Sequence, residues 1–159
     1  KYVPENVKSA AKYCTHIYYA YAKLDPITLE LASSHVFTDE TNGFFDRVVS
    51  VAKNSNPNVK VLLSMGGWTD SGTDKYSRLV ADPNARANFV KKAVQTLKMH
   101  EFDGLSIEWQ YPVCWQADCK KGSLAEKQGF VALAKVLKNE FSKSNLILSA
   151  SLPGFPRCA

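Results

Sequence analysis

Short apolar runs alternate along the chain with longer segments in which apolar residues recur every three or four positions. The short runs are rich in β-branched and aromatic side chains, which strands favour. These runs, each predicted to be a strand, cover residues 15–22, 59–65, 104–111 and 146–152. The longer segments have the periodicity of amphipathic helices. These segments, each predicted to be a helix, cover residues 43–54, 82–100 and 123–142.

The alternation of strands with helices predicts an α/β fold. Apolar strands separated by long helices form a parallel sheet that helices cover. The repeated unit fits either an open doubly wound sheet or a closed barrel. No Gly-x-Gly-x-x-Gly motif follows the first strand, which disfavours a dinucleotide-binding domain. With 159 residues and no linker or low-complexity segment, we expect a single domain over residues 1–159.

Charge and composition argue against several classes of partner. The net charge is +5, but the lysines are scattered, and the densest groups are the pairs Lys91–Lys92 and Lys120–Lys121. No nucleic-acid-binding motif accompanies them, so we expect no nucleic-acid partner. No apolar run approaches the roughly 18 residues of a membrane span. The three histidines lack metal-ligand spacing, so the sequence implies neither a metal nor a cofactor.

Two of the four cysteines lie close together in a polar segment. Cys114 and Cys119 are five residues apart with no histidine or further cysteine beside them, which favours a small disulfide loop over a zinc site. A disulfide indicates an oxidising, extracellular setting, so we expect a secreted protein. Whether Cys14 and Cys158 pair stays open.

A row of polar side chains lies in the third predicted strand, residues 104–111. Because strand side chains alternate between faces, Ser106, Glu108 and Gln110 share one face and rise toward the carboxyl end. Trp109 belongs to the apolar face that covering helices bury. Buried polar groups must be hydrogen-bonded. The row is therefore either an internal network that sets strand register or a catalytic or sugar-binding column, and the spacing leaves both open.

The same segment resembles the signature strand of a known enzyme family. Residues 103–112 are similar to the pattern Asp-Gly-x-Asp-x-Asp-x-Glu, followed by Tyr-Pro, of the family-18 glycoside hydrolases, the chitinases. Residues 14–22 and 64–68 resemble the second and third strands of that family. Residues 111–116 and 118–122 resemble arthropod chitinases. The resemblance implies a (β/α) barrel of the TIM type, of which the chain covers about strands two to five of eight.

The departures from the family pattern bear on activity. Asp103 matches the motif, but Ser106, Glu108 and Gln110 stand where the family has Asp, Asp and Glu. In the family, that final Glu protonates the glycosidic oxygen while the substrate's acetamido group assists. A Gln side chain has no such proton. The resemblance therefore implies that no motif residue is catalytically active, and the three joint departures favour natural divergence over a single designed change.

The resemblance also names residues that still favour sugar binding. These candidate substrate-binding residues are Tyr21, Trp68, Glu108, Gln110 and Tyr111. Each aromatic residue has an alternative as ordinary packing. We expect a catalytically inactive chitinase-like protein that binds chitin or N-acetylglucosamine oligosaccharides. A non-binding signalling or structural relative and a weak hydrolase that uses Glu108 remain open.

The resemblance covers only part of a barrel, which bears on what takes the place of the remaining strands. An open sheet of four strands exposes its edges, which proteins normally cover. We therefore expect a partner chain, or further segments, to complete the barrel. In the family the equivalent of Cys14 pairs with a cysteine on the first strand, which leaves Cys158 as the spare cysteine here.

Overall fold

The computed structural model describes residues 3–154. Within them, one sheet contains five strands in the order β2-β1-β3-β4-β5. The strands are β1 His16–Leu24, β2 Leu31–Ser33, β3 Lys60–Gly66, β4 Gly104–Glu108 and β5 Ile147–Ala150. The strands β1, β3, β4 and β5 run parallel to one another, as the alternating pattern predicted.

Helices connect the parallel strands and cover one face of the sheet. They are α1 Val7–Ala11, α2 Phe44–Ser55, α3 Lys75–Ala81, α4 Pro83–Met99 and α5 Ala125–Lys143. The start of α4 follows from its sequence. The Asp82 carboxylate accepts a hydrogen bond from the Asn84 N–H at 2.8 Å, and Pro83 occupies the first turn, where it costs no hydrogen bond.

The core lies between the sheet and these helices. Leu63, Leu105 and Ile107 project into it from adjacent strands and are buried. Trp109 continues this face, stacking on Tyr76 with ring centres 5.5 Å apart. The prediction that Trp109 faces the helices is therefore confirmed.

The strand β2 departs from the predicted all-parallel order, since it pairs antiparallel with β1. A tight turn joins the two strands. The Asp25 side chain accepts hydrogen bonds from the N–H groups of Ile27 and Thr28 at 2.9 and 2.8 Å, and Leu29 has a positive φ of 56°. Three strand residues are too few to show a periodicity, so the sequence pattern missed this hairpin.

The strand β4 is shorter than predicted, ending at Glu108 and not at Tyr111. The reason is a hydrogen bond made outside the sheet. The N–H of Gln110 donates to the Ser71 hydroxyl at 2.8 Å, and the chain turns away from its neighbouring strands. Gln110 therefore follows the strand and does not belong to it.

Candidate functional site

The face of the sheet opposite the helices carries a polar row. Ser106 on β4 pairs in register with Ser64 on β3 and with Ser149 on β5. One level nearer the carboxyl ends, Glu108 pairs with Gly66. Ser106 is buried, whereas Glu108 is half-buried and lies where the strands end. The predicted alternation along β4 is therefore confirmed as far as Glu108.

Tyr21 joins Glu108 at this edge. Its hydroxyl donates a hydrogen bond to Glu108 Oε2 at 3.2 Å, although the two residues are 87 positions apart. Partial burial, with the Glu108 charge as a second cause, raises the pKa of Tyr21. The phenol therefore stays protonated as a donor at neutral pH, and the carboxylate accepts from it. The structure thus brings together two of the residues predicted to bind substrate.

Two glycines at the end of β3 allow this close arrangement. Gly66 has a φ of 118°, and a side chain there would place its Cβ 2.6 Å from the Glu108 carbonyl oxygen. Gly67 has a φ of 86° and lies under the Tyr21 ring, which a Cβ would approach to 3.3 Å. Only glycine combines these conformations with such contacts. The Gly-Gly pair therefore holds the loop after β3 against both Tyr21 and Glu108.

Trp68 follows the two glycines and is 53% exposed. It lies at the carboxyl end of β3, as the sequence predicted. Beside it, Tyr21, Gly66 and Thr69 help to line a cleft of about 470 Å³. A large, flat, exposed aromatic side chain at the end of a parallel sheet, beside a cleft, is suited to contact a ligand.

A buried charged cluster that the sequence did not reveal supports the wall of this cleft. Lys75 is buried and forms an ion pair with Asp70. The Tyr76 hydroxyl donates to Asp70 Oδ2 at 2.8 Å, and the Leu24 N–H donates to the same oxygen at 3.2 Å. Burial raises the pKa of Tyr76 well above its ordinary value, and the Asp70 charge adds to the shift. The cluster ties the loop after β3 to the end of β1.

Gln110 and Tyr111 lie just beyond β4, and both are half-buried. The peptide bond between them is cis, as is the bond between Ala20 and Tyr21. The backbone N–H and carbonyl of Tyr111 exchange hydrogen bonds with those of Cys114 at 3.1 and 3.0 Å. The main chain of both residues is therefore tied to the loops around the site.

The segment after Tyr111 is closed by the predicted disulfide between Cys114 and Cys119, with an S–S distance of 1.99 Å. Inside it, Trp115 is half-buried and not fully exposed, because its indole N–H donates to Glu126 Oε2 at 3.0 Å. Among the described residues Cys14 forms no disulfide. Its possible pairing with Cys158 lies outside the described residues.

Asp103 lies at the opposite end of β4 from Glu108 and Gln110. It directly precedes β4 at the amino-terminal edge of the sheet, roughly 16 Å along the strand from Glu108. Its carboxylate accepts from the Val61 N–H at 2.8 Å and pairs with Lys53 at 3.3 Å. The structure therefore places Asp103 where it joins the starts of β3 and β4, away from Tyr21 and Glu108.

Two residues that were not among the predicted site residues connect the parts of the site. Ser71 is completely buried, and its hydroxyl donates to the Gly67 carbonyl at 2.8 Å while accepting from the Gln110 N–H. The Gln116 side chain donates to the Trp68 carbonyl at 2.9 Å. Ser71 lies in a polar loop with no signal in the sequence, and Gln116 ends the segment 111–116, whose resemblance to arthropod chitinases did not indicate this contact.

The described residues show neither a metal-binding cluster nor a membrane-spanning helix. Across residues 3–154, no three side chains of His, Cys, Asp or Glu are grouped as a metal site would require. No helix in the same part of the chain has both the length and the hydropathy needed to cross a bilayer.

Comparison with known proteins identifies similar sequences and structures. The sequence model of the family described as glycosyl hydrolases family 18 matches residues 1–157. Probable chitinase 10 of Drosophila melanogaster is 43% identical over 152 residues, 96% of this chain. Chitinase-like protein Idgf4 of the same organism is 31% identical over 177 residues, also 96% of this chain.

A solved structure extends the similarity to the fold. Catalytic domain 2 of the Group II chitinase of Ostrinia furnacalis, as an E2180L mutant in complex with (NAG)5, superposes with a TM-score of 0.93. It is 43% identical and covers 99% of this chain. The predicted partial barrel is thereby confirmed. The chain spans 40% of that structure, 40% of Idgf4 and 6% of probable chitinase 10.

Proposed function

Because the chain belongs to the glycosyl hydrolases family 18, we propose that it binds chitin or N-acetylglucosamine oligosaccharides without hydrolysing them. One observation carries this proposal. Gln110 follows the Ser106–Glu108 column at the edge of the sheet that also presents the exposed Trp68. The site therefore keeps a surface for a sugar but has an amide where the family signature has its acid.

Hydrolysis needs a proton for the leaving oxygen, and Gln110 is a poor source of one. The Gln110 amide does not supply a proton to a leaving oxygen at neutral pH. A positioned general acid contributes roughly 10²–10⁴ in rate. Glu108 does not replace it readily, since it lies two residues earlier, at the end of β4, whereas Gln110 lies beyond the strand. Its carboxylate also already accepts the hydrogen bond from Tyr21.

The other predicted substrate-binding side chains support sugar binding. Trp68 presents an exposed aromatic face on which a sugar ring can stack, and Tyr21, Glu108, Gln110 and Tyr111 offer hydrogen-bonding groups. The complex of the Ostrinia mutant with (NAG)5 supports chitin oligosaccharides as the ligand class. The Cys114–Cys119 disulfide supports secretion into an oxidising compartment.

The experiment is a calorimetric titration with a chitin hexamer beside a hydrolysis assay on the same sample. We expect saturable binding without cleavage. Cleavage that Glu108→Gln abolishes would replace the proposal with a weak hydrolase that uses Glu108. Absence of binding would instead favour a non-binding signalling or structural relative.

A further inference from the structure

Two loops carry the principal groups of the site, and they are joined from the inside by Ser71. The first loop follows β3 and contains Gly67 and Trp68. The second follows β4 and contains Gln110. The Ser71 hydroxyl donates to Gly67 in the first loop and accepts from Gln110 in the second, both at 2.8 Å. This contact is buried and fixes the bases of the two loops.

A second connection lies nearer the surface and is made by Gln116. Its backbone N–H donates to the Gln110 carbonyl at 2.7 Å. Its side-chain Nε2 donates to the Trp68 carbonyl at 2.9 Å. One residue therefore contacts Gln110 through its main chain and Trp68 through its side chain, although Trp68 lies 48 positions earlier. The Gln116 side chain also packs within 2.9 Å of where a Cβ on Gly72 would lie.

The loop that carries Gln116 is itself held in place. Cys114 and Cys119 close it, and Gln116 has a φ of 50° between them. Glu126 on α5 accepts from the Val113 N–H at 2.7 Å and from the Trp115 indole at 3.0 Å. Gln116 is therefore presented to Trp68 by a closed loop anchored on a helix.

We infer that Gln116 is a positioning residue that holds Trp68 at a fixed place relative to Gln110 for a bound sugar. This inference rests on the proposed function and deepens it. The Trp68 ring is largely in solvent, so its own packing restrains it weakly, and its peptide carbonyl is held by Gln116. A loop whose main chain is already fixed has less to order when the sugar binds, which raises affinity.

The first test is Gln116→Ala with Gln128→Ala as the matched control, since Gln128 is exposed on α5. Calorimetry with a chitin hexamer should show roughly two- to tenfold weaker binding for Gln116→Ala, the range expected from one neutral hydrogen bond. The control should bind like wild type. Both should melt close to the wild-type temperature, because neither side chain belongs to the core. Unchanged affinity in Gln116→Ala would overturn the inference.

A double-mutant cycle separates positioning from a general structural effect. If Gln116 acts through Trp68, then Gln116→Ala should weaken hexamer binding in the wild-type background and not further in a Trp68→Ala background. An equal loss in both backgrounds would show that Gln116 acts independently of Trp68, contrary to the inference.

The surroundings of Trp68 can also be measured without a ligand, which tests the role of Gln116 even if the hexamer does not bind. Protein labelled with 5-fluorotryptophan should give three ¹⁹F resonances, for Trp68, Trp109 and Trp115, with Trp68 assigned from Trp68→Phe. Gln116→Ala should shift the Trp68 resonance and leave that of the buried Trp109 in place. A hexamer that fails to bind wild type would overturn the proposed function alone. An unmoved Trp68 resonance would overturn the positioning role.

Discussion

At the scale of single residues, Gln110 and Trp68 are the side chains from which we expect sugar binding without hydrolysis. Glutamine keeps the shape of glutamate and loses the proton that general acid catalysis needs. Trp68 keeps an exposed ring at the carboxyl end of the sheet. Glu108 is the remaining carboxylate of the polar row, and Tyr21 already donates to it. These residues support our proposal that the chain binds a sugar without cleaving it.

Restoring the acid alone should not restore a full enzyme. We expect Gln110→Glu to release little or no product from a chitin hexamer, because Ser106 and Glu108 also differ from the family pattern. The measurement is an end-point and time-course assay of chitooligosaccharide products, with wild type as the blank. The triple change Ser106→Asp, Glu108→Asp and Gln110→Glu provides the comparison. Robust hydrolysis by the single variant would contradict the prediction.

Removing the exposed ring should weaken sugar binding strongly. We expect Trp68→Ala to lose at least about fivefold in hexamer affinity, because tryptophans in binding sites commonly contribute over 1 kcal/mol. The matched control is Tyr13→Ala, since Tyr13 is also exposed but precedes β1, at the opposite edge of the sheet from Trp68. Calorimetry checks both variants. Equal affinities for Trp68→Ala and wild type would place the sugar elsewhere.

At the scale of elements, the end of β4 shows where a local pattern stops determining structure. Alternation of side chains continues through Gln110, so the sequence predicted a strand to Tyr111. The structure ends β4 at Glu108 because Ser71, 39 positions earlier, accepts the Gln110 N–H. A contact between distant loops therefore overrides the local preference for a strand.

Removal of the Ser71 hydroxyl should destabilise the contact between the loops that follow β3 and β4. We expect Ser71→Ala to lower the free energy of unfolding by about 1–3 kcal/mol, since it leaves the Gln110 N–H without its partner. In a chain of this length, that loss corresponds to a melting temperature lower by roughly 2–10 °C. Ser142→Ala is the control, because Ser142 is exposed on α5. A melting temperature like that of wild type would show that water replaces the hydroxyl.

At the scale of the whole molecule, one buried and one half-buried tyrosine link stability to alkaline pH. Burial raises the pKa of Tyr19 and of Tyr76 in the folded state, and hydrogen bonds to Asp39 and Asp70 add to these shifts. In the unfolded chain each phenol ionises near its ordinary pKa. In the folded protein each phenol therefore stays neutral to a higher pH. The stability from these groups is complete below about pH 10 and is lost as the pH rises above it.

The corresponding measurement is urea unfolding at several pH values between 8 and 11. We expect the free energy of unfolding of wild type to fall above about pH 10. Tyr76→Phe should be less stable at neutral pH, since it loses the hydrogen bond to Asp70, but its stability should fall less steeply with alkaline pH. Tyr13→Phe is the control because Tyr13 is exposed. Parallel curves for Tyr76→Phe and wild type would contradict the prediction.

The sequence by itself determined the features that depend on neighbouring residues. Apolar spacing predicted four parallel strands and three long helices. The start of α4 followed from Asp82 and Pro83, and the alternation of side chains assigned Trp109 to the core. The spacing of Cys114 and Cys119 predicted their disulfide. These features follow from local periodicity and short-range chemistry, so they can be read without a structure.

Only the tertiary structure decided how distant segments meet. It brought Tyr21 to Glu108, joined the Trp68 loop to Gln110 through Ser71 and Gln116, and separated Asp103 from the site. It also added the antiparallel strand β2, which is too short to leave a pattern. The physical reason is that hydrogen bonds between loops depend on where the packed sheet and helices place them. The spacing of residues along the chain does not contain that information.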